Sequence, residues 1–170
     1  MATQTINYSS NTAITMDLAN LASSATWVAG RESTEVDNTT NKFVDAIVQG
    51  SISVGTTPTA NTVINVFVYA SDTSLATTAI DVIDGVDSAE TITNTGVLYS
   101  MFRLGAAINV LVNTSDIAYP IAPFSIAQLF GGVMPKYWGL FVAHNTGVAL
   151  RNNAVNTNSF DYVGIKYDVA

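Results

Sequence analysis

The chain has 170 residues, a net charge of −7, only 11% charged residues and no cysteine. Its length suits one domain with a proper core, and the missing cysteine excludes a disulfide framework or a thiolate metal site. The six cations, Arg31, Lys42, Arg103, Lys136, Arg151 and Lys166, are scattered, so there is no basic stripe for nucleic acid and nothing to offset repulsion from an anionic membrane surface.

Polarity comes from neutral side chains instead. The 21 Thr, 15 Asn and 14 Ser combine a strand former with two turn formers, which leans the composition towards β. The start, MATQTINYSS, lacks the basic and apolar regions of a signal peptide, so no export is expected and synthesis is placed in the cytoplasm. No stretch approaches the roughly 18 apolar residues of a membrane helix.

In chain order, residues 1–11 read as a flexible polar arm and 12–170 as a single domain. Such an arm can reach a neighbouring subunit, which makes Thr3, Ile6 and Tyr8 candidate interface residues. Residues 25–30, with Trp27, read as a short strand, and 31–41 as a charged loop. A long strand spans 42–54, with a possible bulge at Gln49-Gly50. Residues 62–70 form a strand whose two faces are both apolar: Val63, Phe67 and Tyr69 on one, Ile64, Val66 and Val68 on the other. A strand of that kind must be covered on both sides. A second sheet accounts for one cover and something else for the other; a partner subunit is one candidate, which adds Phe67 and Tyr69 to the candidate interface.

Further strands are expected at 79–83, 97–104 and 106–112. Residues 113–124, with Pro120 and Pro123, have loop chemistry. A short helix is expected near 125–130, capped by Ser125 and stopped by Gly131-Gly132. Residues 137–143 and 148–150 around Asn145-Thr146-Gly147 read as a hairpin. A polar loop at 151–159 leads to a final alternating strand at 160–169. Eight or nine strands with one short helix and no strand–helix–strand alternation predict an all-β, two-sheet, jelly-roll-like sandwich.

Catalytic chemistry finds little support. His144 is the only histidine; it is expected on the hairpin loop, without a cysteine nucleophile, a nucleophile-elbow motif or further histidines for a metal. Asp81, Asp84, Asp87 and Glu90 make the densest acidic run, but their spacing lacks the pattern of an EF-hand loop, and a solvated acidic loop is the plainer reading. No phosphate-cradling glycine loop is present. The sequons at Asn7, Asn38 and Asn113 are chance matches in so Asn- and Thr-rich a chain. Tyr137 and Trp138 complete the candidate interface as an exposed aromatic platform, although burial is the commoner fate of such residues. The expectation is therefore no enzyme, no cofactor and no metal.

The C-terminal third carries a more specific pattern. PKYWGLFVAHNTGVAL at 135–150 and YVGIKYDV at 162–169, preceded by a run from Ala118 to Ala127, resemble the closing half of small bacteriophage virion proteins of the capsid decoration, or cement, type. The resemblance covers about 55 residues, and none of its motifs is catalytic. It implies a jelly-roll-like sandwich on the outer capsid surface of a virion, often trimeric, bridging copies of a major capsid protein. A receptor- or carbohydrate-binding module of a head or tail fibre is the alternative expectation. A virion glycosidase would need two carboxylates facing one cleft.

Overall fold

The computed structural model describes residues 3–151 and 158–169. The first two residues of the expected arm and most of the expected loop at 151–159 lie outside them. The described residues form an all-β sandwich of two antiparallel sheets. In chain order the strands are β1 (Gln4–Tyr8), β2 (Thr12–Ala13), β3 (Ala29–Glu32), β4 (Val36–Asp37), β5 (Asp45–Ser53), β6 (Thr62–Ser71) and β7 (Ser88–Thr91). Helix α1 (Thr95–Met101) precedes β8 (Arg103–Val110) and β9 (Ala118–Ser125), and helix α2 (Ile126–Leu129) precedes β10 (Tyr137–His144) and β11 (Ser159–Val169). The first sheet runs β1-β11-β5-β9, with β2 also beside β11; the second runs β7-β3-β10-β6-β8, with β4 also beside β10. The chain crosses repeatedly between the two sheets.

The gap between the sheets holds the main core. Val48 and Ile52 of β5, Ile64, Val66 and Val68 of β6, Trp138, Leu140 and Val142 of β10, and Phe160 and Tyr162 of β11 interlock there. Trp138 meets Tyr162 edge-to-face at 5.4 Å, a preferred aromatic geometry. The other face of β6 is also buried, but by the chain itself. Phe67 and Tyr69 join Phe141 and Ala143 of β10 under a cover of Leu75, Ile83, Ile92, Leu98 and Phe102. Segment 72–102 thus supplies the second cover for which a partner subunit was one candidate. Phe67 and Tyr69 are only 2% and 3% exposed and Trp138 is fully buried, so these three cannot serve as interface residues.

Several local expectations are corrected. Residues 4–8 pair in register with β11, from Gln4 opposite Val169 to Tyr8 opposite Ile165, and are a sheet edge instead of a free arm. All five side chains are nonetheless exposed, which is why they read as an arm. The expected strand at 97–104 begins as α1: Asn94 caps it by accepting from the Val97 N–H at 3.0 Å, and Leu98 and Phe102 both pack into the second core. One helical turn separates those two residues, so packing overrides the strand propensity of Val97 and Tyr99. The expected strand at 79–83 reduces to a single bridge between Ile80 and Ile83, and the expected loop at 31–41 contains β4 and the end of β3.

Pro120 and Pro123 lie within strand β9, expected as loop. The strand is at a sheet edge, where a missing N–H breaks no ladder on its outer side. Its register against β5 slips between Val48 and Gly50, where three steps of β9 oppose two of β5. The expected bulge is thus at the expected place, with its extra residue on β9. The expected hairpin after β10 is absent: residues 148–150 form no strand, and β10 pairs with β6, β3 and β4. The short helix is present as expected, with Ser125 Oγ accepting from the Gln128 N–H at 3.0 Å and positive φ at both Gly131 and Gly132.

Cross-strand contacts between aromatics and glycines lock the second sheet. The Tyr69 ring covers Gly139, directly opposite it on β6 and β10. A Cβ at Gly139 would sit 2.1 Å from the Tyr69 hydroxyl, so no other residue fits without moving the ring.

Candidate functional site

His144 ends β10 and is fully buried, not on a loop. Its Nε2 lies 3.0 Å from the Leu21 carbonyl, which can only accept, so Nε2 carries the proton. Nδ1 lies 2.9 Å from the Thr146 hydroxyl, which is itself 3.0 Å from the Val148 carbonyl. Burial lowers the pKa of the imidazole, and the Leu21 contact offsets that only in part. The histidine ties two loops to the end of the sandwich.

A group whose folded pKa is depressed in this sense binds its proton more readily in the unfolded chain. The His144 contribution to stability is therefore intact above the ordinary histidine value and is lost as the pH falls below it towards the folded pKa. NMR titration of the His144 ring should give a folded-state pKa below 6.5, its ordinary value. A folded-state pKa at or above that value would contradict this account.

The acidic run is dispersed among structural duties. Asp81 accepts from the Thr93 hydroxyl at 2.6 Å and the Thr93 N–H at 2.9 Å. Asp87 pairs with Arg31 at 2.6 Å and also receives the Asp17 N–H. Glu90 accepts from Ser88. Asp84 accepts from the Val86 N–H and gives its own N–H to Glu32 at 3.3 Å. Among the described residues, no group of three or more acidic or histidine side chains is arranged to hold a metal ion.

The feature not used up by the fold is the outer face of the first sheet. Odd-numbered residues of β11 point away from the core, because Phe160 and Tyr162 point into it. On that outer face Ile6 stands opposite Tyr167 and Tyr8 opposite Ile165. Tyr8 is 64% exposed, Ile6 58%, Tyr167 52% and Val44 41%. Together with Ile165 they line an open depression of about 850 Å³, closed on one side by Ala127 and Gln128 of α2 and by Gly131-Gly132. The nearby Asp45 carboxylate is occupied at the start of α2, accepting from Ser125 Oγ and the Ala127 N–H. The result is a contiguous apolar surface of the kind that marks interaction sites.

Of the seven candidate interface residues, Ile6 and Tyr8 belong to this surface. Thr3 is exposed just before β1. Tyr137 is half-buried in the opposite sheet, between Asp37 and Ser71, and Phe67, Tyr69 and Trp138 are interior. Val44, Ile165 and Tyr167 were missed. For Ile165 and Tyr167 a signal was present: the alternation of β11 puts Val163, Ile165 and Tyr167 on the face opposite to Phe160 and Tyr162.

Compared with protein-family models, curated proteins and solved structures, the chain matches none of them.

Proposed function

We propose that this chain is a structural protein of a bacteriophage virion that decorates the outer capsid surface by bridging major capsid proteins, without enzymatic activity. The observation that carries the proposal is the apolar outer face of the first sheet, where Ile6, Tyr8, Val44 and Tyr167 stay exposed around one depression beside the half-buried Ile165, while the acidic run and the histidine serve the fold. An apolar surface with few charges associates in a way that salt hardly weakens, which suits attachment to a lattice. The resemblance of residues 135–150 and 162–169 to capsid decoration proteins supports the same reading.

The decisive measurement is the position of the chain in virion density. It is expected at regular sites on the capsid lattice; a location at the tail tip would overturn the proposal. Tyr8→Glu combined with Tyr167→Glu should weaken attachment to purified capsids by about tenfold or more, since exposed aromatics are common anchors, with unchanged thermal stability. The exposed Tyr8 and Tyr167 in one depression also favour a second reading, a carbohydrate-binding module of a head or tail fibre. Binding of the chain to a glycan array, abolished by the same double substitution, would support it over the capsid role.

A further inference from the structure

Among the described residues, β1 is the long sheet edge that lacks protection. β9 carries Pro120 and Pro123, and Phe124 of β9 packs against Gly105 of β8, so these two edges close on each other. β7 has four residues and includes Glu90. β1, by contrast, ends its sheet with five exposed residues, Gln-Thr-Ile-Asn-Tyr, without a proline or a charge. Proteins normally shield such an edge with charge, proline or a covering segment.

The register of β1 fixes which of its backbone groups are free. Ser9 donates its N–H to the Gly164 carbonyl at 2.8 Å. Antiparallel pairing alternates along a strand, so Asn7 and Thr5 also turn their backbone groups towards β11. The N–H and C=O of Gln4, Ile6 and Tyr8 therefore point outward, away from the sheet. This set is symmetric about Ile6. A two-fold axis beside Ile6 would pair Ile6 with Ile6 of a second copy, and Gln4 with Tyr8 in both directions. All three outward-facing residues would then form hydrogen-bonded pairs, with none left over.

Charge permits this approach and discourages others. The chain carries −7 overall, yet residues 3–16 contain no charged side chain. The nearest ions, one strand inward, are already engaged: Lys166 pairs with Asp168 at 3.6 Å, and Asn7 donates to Asp168 at 2.6 Å. Two copies can therefore meet along β1 without opposing like charges.

We infer that β1 is a homodimerisation edge, joining two copies of this chain by antiparallel β1–β1 pairing about Ile6 into one continuous sheet. The pairing is isologous and closed, and it replaces the trimer implied by the family resemblance with a dimer. It does not rest on the capsid reading, since it holds whether or not the chain meets a capsid. It would also merge the two apolar outer faces into one larger docking surface.

The chain has no cysteine, which gives a direct test. Ile6→Cys should form an intermolecular disulfide under mild oxidation, because hydrogen-bonded antiparallel pairs hold their Cα atoms about 5.5 Å apart, within disulfide reach. Leu111→Cys, at a site 66% exposed elsewhere, should not cross-link above background. Light scattering of the unmodified chain should give twice its 17.9 kDa. Ile6→Pro removes only an outward-facing N–H and should give a folded monomer by circular dichroism. A monomeric or trimeric mass for the unmodified chain would overturn the inference. So would equal cross-linking at positions 6 and 111, or a folded Ile6→Pro variant that stays dimeric. Should Ile6→Pro unfold, the cysteine pair and the mass still decide.

Discussion

Replacing Phe67 by alanine is expected to destabilise the chain by about 3–5 kcal/mol, the usual cost of emptying a large aromatic site. Phe67 is 2% exposed and sits at the centre of an aromatic cluster. Its ring lies 6.4 Å from Phe102 and 6.3 Å from Tyr99, both edge-on, and 6.5 Å from Phe141. Phe102 in turn packs at 5.3 Å against Phe141. These rings hold segment 72–102 on the outer face of the second sheet, so the loss should fall first on that segment. Hydrogen exchange should show α1 and β7 losing protection before β5, β6 and β10 do. Denaturant titration checks the magnitude. Tyr167→Ala, on the exposed apolar face, should change stability by less than about 0.5 kcal/mol. The pair separates two readings of β6. Were Phe67 an intersubunit contact, its removal would reduce association and leave monomer stability unchanged.

The second large effect is a pH dependence centred on Glu32. This residue is fully buried in β3, faces the same side as Phe141 opposite it, and has an Oε2 without a hydrogen-bond partner. Burial pushes its carboxyl pKa up to about 8, and the neighbouring Asp84 carboxylate, to which a protonated Glu32 can donate, adds to the rise. The folded chain therefore holds a proton that the unfolded chain releases above about 4.5, the ordinary glutamate value. Between that value and about 8 the folded state binds more protons, so stability is greatest below the lower limit and falls as the pH rises through the window. The full loss amounts to at most about 5 kcal/mol.

Glu32→Gln removes the titration. Its stability should match that of the unmodified chain near pH 5 within about 1 kcal/mol and exceed it at pH 8, because an amide carries no charge to desolvate. Urea midpoints measured across this range provide the check. Parallel profiles for the two chains would show that Glu32 does not titrate as described. Burial also raises the pKa of the Tyr69 hydroxyl, the charge of Glu32 adds to the rise, and the bond this hydroxyl donates to the Ser33 carbonyl at 2.9 Å opposes it.

Much of the sandwich was legible along the chain, and the reasons are local. Strands β6 and β11 showed their two-residue period directly, and β6 ends within a residue of its expected limits. The Ser125 cap and the Gly131-Gly132 stop located α2, because capping needs an acceptor and left-handed backbone at set offsets. The irregularity near Gly50 was visible for the same reason. Helix α1 was not, since its residues favour strands one by one and only the contact of Leu98 and Phe102 with the aromatic cluster makes a helical turn the better solution. Strand β9 was hidden by Pro120 and Pro123, whose meaning depends on lying at a sheet edge.

The functional surface divides along the same line. The sequence alone established that the chain is all-β, that β6 is apolar on both faces, and that Ile6 and Tyr8 lie in a segment without charge. These follow from residue type and spacing. Which apolar faces are covered was decided only by tertiary structure. β6 lost its second face to segment 72–102 of the same chain, while the outer face of β11 received β1 beside it and, among the described residues, nothing above it. A two-residue period states that a face is apolar but not what lies against it, because that depends on contacts between residues far apart in the chain. Phe67 and Tyr69 therefore moved from candidate interface to core, Ile6 and Tyr8 remained at the surface, and Val44, Ile165 and Tyr167 joined them.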